Sequence, residues 1–505
     1  MTQSAIIQRG QGDAPAVLWP ITNGHFLAIL LVFGAIWLTV ISSFSLTPPS
    51  DNIEQLIWLE KLSWGYYKHP PLPTWLAWFA TWVLGKSPMA IAALGAACAL
   101  TAFYVFWSLL NRMSDARYAT VVCLAVMCVP FYSARLNYFN HNIVLLLLST
   151  ITAYCAYRAF ESEKLRWWFG VALAVGLGAI TKYQIVVSLV SLALLWVLQR
   201  GWQTRKHQIG LAIVVVTAVA FFLPHLNWLV NNNFAPFTYA KTTSLGAGLS
   251  GGERVIATAN WLADLLLGRG FASWIFLGSL VWVSRITRAK VAIGVVQLTA
   301  KSALGFELIL CWGLVPVAFI VSLGLFAGAD LQMHWGTSFL NFGIAAVLSL
   351  LFRPSYFSGM TLKQIVFCFI AIQSIFILYG AVTMSGGFQK YHSARWQSFD
   401  SRAAARQVEP LAQAALGGPV MIVVGKHDIA GAIALQLPSH PKVLIENRLD
   451  FSPWVSQDLI DRCGALEVAN EYTDASFKSL APQFPSVYWR IQMPKPNQPA
   501  CITVH

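Results

Sequence analysis

The sequence predicts an all-α polytopic membrane bundle of about eleven transmembrane helices, with interfacial helices in the first external loop and a small C-terminal α/β domain. Three observations predict it. Apolar runs of spanning length recur from residue 22 to residue 384, charged residues are scarce, and the composition changes after residue 385. Of 505 residues, 57% are hydrophobic and 11% charged, with a mean hydropathy of +0.59. A soluble globular chain carries about 25% charged residues, so this one has too little polar surface for a water-soluble fold. The net charge of +13 does not indicate a nucleic-acid partner. Much of the basic excess sits in short connections between apolar runs, and no contiguous Lys/Arg face with interleaved aromatics is present.

A helix crosses a bilayer with about 20 apolar residues. Such runs lie at roughly 22–46, 88–110, 117–133, 142–159, 167–181, 183–199, 208–226, 268–284, 304–327, 337–352 and 364–384. One set of connections is basic: Arg112 and Arg117; Arg158, Lys164 and Arg166; Arg200, Arg205 and Lys206; Arg285, Arg288 and Lys290; Arg353 and Lys363. The other set is longer and richer in Trp, Tyr, Asn and Pro. The positive-inside rule places the basic set in the cytoplasm. With an odd span count, residues 1–21 are then cytoplasmic, 22–385 form the membrane domain, and 386–505 lie on the far side as a periplasmic α/β domain. Met1 to Pro20 lacks the charged-then-apolar pattern of a signal peptide, so the first span is expected to remain as an anchor.

Two external segments are longer than a tether requires. In 47–87, apolar residues at helical spacing (Trp58, Leu59, Leu62, Trp75, Leu76, Trp78, Phe79) predict a helix lying in the interface. In 227–267, the Gly-rich SLGAGLSGGER predicts a mobile loop over a site. Beyond 385, GGPVMIVVGKHD, KVLIENR and SVYWRIQM predict short strands, and RAAARQVEPLAQAAL and SPWVSQDLIDRCG predict helices. Six cysteines lie in apolar runs and read as small hydrophobes. Cys463 and Cys501 lie in the polar C-terminal segment, where an oxidising compartment permits a disulfide that spacing alone does not establish.

The candidate chemistry follows the first span. Asp51 and Glu54 are three residues apart and share a face if helical. Taken alone, Asp51 reads as an N-cap for a helix over Asn52–Leu62. Its neighbourhood points elsewhere: Trp64-Gly65-Tyr66-Tyr67-Lys68-His69-Pro70-Pro71-Leu72 packs aromatics, a cation, an imidazole and a Pro-Pro turn into nine positions. Aromatic rings stack on the apolar faces of sugars, and a lysine pairs a phosphate as a point charge.

An acidic residue shortly after the first span, followed by GYYKHPPL before the second, resembles the polytopic GT-C glycosyltransferases. The branch it resembles is the bacterial one related to the lipid A aminoarabinose transferase and the protein O-mannosyltransferases. The resemblance covers roughly 20–385 as topology and 51–75 as motif. It implies polyprenyl-phosphate-sugar donors, inversion at the anomeric carbon, and Asp51 as the catalytic or substrate-orienting carboxylate; Glu54, on the same face, is the candidate to assist or substitute for it. Lys68, Arg135 and Lys182 would neutralise the donor phosphate; snorkelling to the interface is the structural reading of the last two. Tyr66, Tyr67, His69, Asn140, His141, Asn142, His334 and Trp335 would line the substrate site, although a loop-satisfying His141 and an interfacial Trp335 fit nearly as well. Many relatives place a second acidic residue where this chain has Asn140-His141-Asn142, which weakens any metal or second-carboxylate role there.

No metal-ligand or nucleotide-binding motif is present. The expected reaction therefore needs no metal or other cofactor, and its partners are the bilayer, the lipid-linked donor and a glycolipid acceptor such as lipid A or lipopolysaccharide. The expected location is the bacterial inner membrane. A transporter or flippase of lipid-linked sugars is the competing class. The spans show no repeated halves and few mid-membrane charges, and Glu307 lies at the cytoplasmic start of its run.

Overall fold

The computed structural model describes residues 21–286, 300–351, 361–384, 396–480, 486–496, 498 and 501. Arg288, Lys290, Arg353 and the expected boundary at 385 lie outside the described residues. The helices of the first part are α1 (Asn23–Phe44), α2 (Ser50–Trp58), α3 (Leu72–Leu84), α4 (Pro88–Met113), α5 (Ala116–Met127), α6 (His141–Ser162), α7 (Leu165–Ala179) and α8 (Val186–Leu198). Then come α9 (Arg205–Asn231), α10 (Ala235–Ala240), α11 (Gly251–Ala263), α12 (Phe271–Ile286), α13 (Ala300–Ala327), α14 (Leu340–Leu351) and α15 (Leu362–Met384). Each of the eleven apolar runs falls on one of these helices.

By length and composition, six of the described helices are sufficient to cross a membrane. A seventh candidate is the pair Gly251–Arg269 and Phe271–Ile286, bent by 48°. Five more apolar helices are shorter, α3, α5, α7, α14 and Tyr183–Leu198. Large apolar side chains face outward, among them Leu31 (59% exposed), Val216 (68%) and Phe367 (71%). Such a surface suits lipid rather than water. The inner faces pack around Trp37, Trp107, Trp168 and Trp312, all fully buried. Among the described basic residues, Arg112, Arg158 and Lys206 share one end of the bundle, where Arg112 and Arg158 both pair with Glu161 and Lys206 pairs with Glu163. The C-terminus of α1, the N-termini of α6 and α14 and the turns beside them meet at the other end.

The segment after α1 differs from expectation. It holds two helices, α2 and α3, because Pro70 and Pro71 stop any continuous helix. α2 ends at Trp58 rather than Leu62, and its N-cap is Pro49, which offers no side-chain cap. Asp51 is therefore not an N-cap. It stands in the first turn, where a carboxylate complements the helix dipole, and its side chain is free to bond elsewhere. α3 leaves Trp78, Phe79 and Trp82 exposed, the apolar face expected of an interfacial helix. The Gly-rich segment is also more regular than expected: Lys241–Leu245 forms one π-turn and α11 begins at Gly251.

The C-terminal layer comprises α16 (Ser401–Leu416), β1 (Ile422–Gly425), α17 (His427–Ala434), β2 (Lys442–Ile445), α18 (Gln457–Cys463), β3 (Ala465–Ala469), β4 (Lys478–Ser479) and β5 (Tyr488–Gln492). Its sheet order is β2-β1-β3-β5-β4, parallel across β2, β1 and β3 and antiparallel beyond. In register, Val423 faces Val443 and Leu466, and Glu467 faces Arg490. The apolar run at β3 and helix α17 were not anticipated. Cys463 and Cys501 are joined by a disulfide, with Cα atoms 4.8 Å apart.

This layer docks directly on α2. Gly431 of α17 lies so close that a Cβ there would sit 2.4 Å from Ile53 Cγ2. Glycine is required by the approach.

Candidate active site

A cavity of about 520 Å³ opens where α2, α6, α13 and the turns beside them converge. Of the residues singled out from the sequence, Asp51, Glu54, Lys68, His69, Arg135, Asn140, His141, Asn142, Lys182, His334 and Trp335 line it. They come from five separate stretches of chain.

Asn140 sets the position of Asp51. As N-cap of α6, its Oδ1 accepts from the backbone N–H of Asn142 and Ile143, while its Nδ2 donates to Asp51 Oδ2 at 2.7 Å. Next to Asp51, Asn52 ties α2 to the same turn: its Nδ2 donates to the Asn137 carbonyl and its Oδ1 accepts from the Phe139 N–H, both at 2.8 Å. The half-buried Asp51 carboxylate keeps its other oxygen for the cavity.

Lys182 sits in the turn between α7 and α8. Its Nζ donates to Asn142 Oδ1 at 2.5 Å. Burial lowers its pKa to about 8, and the field of Asp51 only partly restores it. An incompletely compensated cation of this kind is able to take up an anion. Arg135, exposed at the cavity, lies over the Tyr138 ring at 5.2 Å.

Glu54 and Lys68 form the cavity's internal ion pair, at 2.8 Å and with both side chains at least nine-tenths buried. Glu54 Oε1 also accepts from Tyr67 Oη at 3.0 Å and lies 3.9 Å from His427 Nδ1 of α17. Burial alone would raise the Glu54 carboxyl. Lys68 and His427, with hydrogen bonds from Lys68 and Tyr67, overcome it and hold the pKa at about 2. Burial opposes the Lys68 charge, but Glu54 and Tyr239 hold its pKa above the ordinary lysine value. Glu54 is thus a locked counter-ion, a poor proton acceptor, and Lys68 is already paired.

The histidines are neutral and packed. The His69 and His141 rings lie 3.9 Å apart, and His141 Nε2 is 3.3 Å from the Pro70 carbonyl, which requires the N–H on that nitrogen. Burial, then His141, Lys182, Lys68 and His334, push His69 well below the usual imidazole range. Burial together with Lys182 and Arg269 takes His334 to about 3.

Tyr66 and Tyr67 do not line the cavity. Each is 4% exposed. Tyr66 stacks on Trp58 at 4.5 Å, and Tyr67 stacks on Phe451 of the C-terminal layer at 4.0 Å. Both are spent on protein partners, so a sugar cannot stack on them. Gly65 lets the same loop lie against α9, because a Cβ there would collide with the Trp228 ring at 2.3 Å.

Residues unanticipated from the sequence also face the cavity. Tyr239 lies edge-on to Tyr67 with Lys68 5.4 Å from its ring, and Gln184 donates to the Trp335 carbonyl at 3.0 Å. The apolar walls include Phe131, Val186, Leu245, Phe319 and Leu323. No local signal marks the apolar walls as site residues, since each is an ordinary hydrophobic side chain in or beside a helix.

Residues 68–228 match the family described as dolichyl-phosphate-mannose-protein mannosyltransferase. The lipopolysaccharide core galacturonosyltransferase RgtA of Rhizobium johnstonii is 26% identical over 238 residues, 46% of each chain. The lipid A galacturonosyltransferase RgtD of the same organism is 23% identical over 203 residues, 40% of this chain and 42% of its own length. The matches thus span less than half of either relative. The crystal structure of ArnT from Cupriavidus metallidurans bound to undecaprenyl phosphate superposes over 92% of this chain and 97% of that one, with a TM-score of 0.59 and 14% identity. The chain is a multi-pass membrane protein with the fold of the ArnT structure, and its residues 68–228 match the dolichyl-phosphate-mannose-protein mannosyltransferase family.

Proposed function

We propose that this protein is an inverting glycosyltransferase. It takes a sugar from a polyprenyl-phosphate donor and passes it to a cell-envelope glycolipid, lipid A, lipopolysaccharide or a related acceptor, at the periplasmic face of the bacterial inner membrane. The observation that carries this reading is one cavity holding a carboxylate, Asp51, and an amine without a carboxylate bonded to it, Lys182, on neighbouring amides of the same helix end. Apolar walls beside them suit a lipid chain, and the solved ArnT complex, with a similar fold, holds undecaprenyl phosphate. Arg112, Arg158 and Lys206 gather at the C-terminal end of α6, opposite the cavity, as the positive-inside rule requires if the cavity faces the periplasm. Residues 386–505 then form a periplasmic domain braced against α2.

In this mechanism the acceptor hydroxyl oxygen attacks the anomeric carbon from the face opposite the phosphate. The C–O bond to phosphate breaks, its electron pair leaves on the phosphate oxygen, and the configuration inverts. The hydroxyl proton passes to Asp51 as positioned general base. Lys182 and Arg135 stabilise the charge on the departing polyprenyl phosphate. Glu54 and Lys68 position the loop between α2 and α3 rather than reacting. The chemistry needs no metal, because the donor carries its own leaving group and Lys182 and Arg135 supply the positive charge.

The direct test is transfer of radiolabelled sugar from a polyprenyl-phosphate donor by the purified protein. Mass spectrometry of envelope lipids from a deletion strain identifies the acceptor. Absence of transfer to any glycolipid fraction, with labelled donor instead moved intact across vesicles, would replace this reading by the flippase one.

A further inference from the structure

A second cavity, of about 210 Å³, lies behind the first, on the side of α2 that carries Asn52. Its apolar wall is the end of α1 and the start of α4, with Leu38, Ile41 and Met89. Its mouth is flanked by Leu46 and Met89, which are 49% and 51% exposed. Gln436 of the C-terminal layer and Asn137 of the turn before α6 supply polar wall. None of the described lining side chains is charged.

Asn137 is the anomaly. It is 6% exposed, and its Oδ1 has no hydrogen-bond partner among the described residues. A buried acceptor left unpaired costs about 1–3 kcal/mol, and buried side-chain polar atoms are normally satisfied. The backbone of the same residue is well held, since its carbonyl accepts from Asn52. The defect is therefore confined to the carboxamide, whose broad, two-fold terminal torsion lets it turn toward the cavity.

We propose that this second cavity binds an acylated membrane lipid at its polar junction, with an amide N–H or hydroxyl of the lipid donating to Asn137 Oδ1. The acyl chain would run along the exposed apolar side chains of α1 and α4. Lack of charge disfavours a phosphate or ammonium headgroup there, and an ester, which has no donor, leaves the Asn137 oxygen unpaired. The site is distinct from the cavity that holds Asp51 and does not depend on the glycosyl-transfer reading.

Binding is measured on the full-length protein in detergent with two fluorescent lipids matched in chain length. One is ceramide-type, with an amide and a hydroxyl at the acyl junction, and the other is a fully esterified triacylglycerol analogue. The expected result is about tenfold tighter binding of the amide lipid, equivalent to about 1.4 kcal/mol. Asn137→Leu should abolish that preference without lowering Tm, because the side-chain oxygen has no partner to lose. Ala92→Leu, which fills the cavity, should weaken both lipids. Asp51→Asn should leave the preference intact. Equal affinity of the parent for both lipids, a preference that survives Asn137→Leu, or one lost in Asp51→Asn would each overturn the proposal, the last by placing the probe in the other cavity.

Discussion

Asn140 joins Asp51 to the start of α6 by a 2.7 Å hydrogen bond, and two residues on, Asn142 accepts a 2.5 Å bond from Lys182. One helix end thus sets the spacing between the carboxylate and the amine. Asp51→Asn keeps the shape of the side chain and removes its basicity. Turnover should fall by about 10²- to 10⁴-fold with an unchanged Tm. Parental turnover in the radiolabel assay would remove Asp51 from the base role.

Lys182 needs its proton to hold a phosphate. Its pKa of about 8 predicts that donor affinity weakens as pH rises through that value. Lys182→Met should raise the donor KM by about 10- to 100-fold, the range of a charge-assisted hydrogen bond, and should abolish this pH dependence. Because burial already penalises the ammonium, Tm should not fall. A KM profile that stays flat from pH 7 to about 9 in the parent would refute the assignment.

Glu54 gives a stability prediction of the opposite sense. Its folded pKa of about 2 lies below the ordinary value of 4.5. A depressed carboxyl stabilises the fold above the unfolded pKa, and that contribution is lost as pH falls through the folded one. The junction between α2 and the C-terminal layer should therefore be indifferent to pH between about 5 and 7 and loosen from about 4.5 downward. Glu54→Gln leaves the buried Lys68 uncompensated and should cost about 3–5 kcal/mol, while Glu54→Gln combined with Lys68→Met recovers part of it. Thermal melts of the three variants check the ordering.

Transfer should proceed at the parental rate in EDTA. Among the described residues no group of three His, Cys, Asp or Glu gathers as a metal-ligand set, and recruiting Glu54 as a ligand would break its pair with Lys68. Loss of activity restored by Mg²⁺ or Mn²⁺ would contradict the metal-free mechanism.

Glu446 and Asn447 both adopt left-handed backbone, at φ +52° and +55°, in the turn closed by Arg448 N–H to the Ile445 carbonyl at 2.9 Å. Asparagine populates that region several-fold more readily than glutamate. Glu446→Asn should stabilise the C-terminal layer by about 0.5–1 kcal/mol, read as a rise in Tm.

Membrane class, helix positions and the charged and imidazole side chains that line the cavity were legible in the chain, because hydropathy acts over runs of residues and every backbone group in lipid must be satisfied locally. Spacing could also mark Asp51, Lys182, His141 and His334 as polar groups stranded at helix ends. It could not show what each one pairs with. The N-cap reading of Asp51 failed because Pro49 starts the helix two residues earlier. The stacking role given to Tyr66 and Tyr67 failed because Trp58 and Phe451 reach them first.

What the sequence determined by itself was a hydrophobic bundle with a polar, aromatic end, since that follows from local composition and periodicity. What only the tertiary structure decided was the division of labour among the charges: Glu54 committed to Lys68, Asp51 left open beside Asn140, and Lys182 half-buried with no carboxylate bonded to it. The physical reason is range. Burial and ion pairing depend on contacts between stretches as distant as Glu54 and His427, and no window along the chain contains both partners.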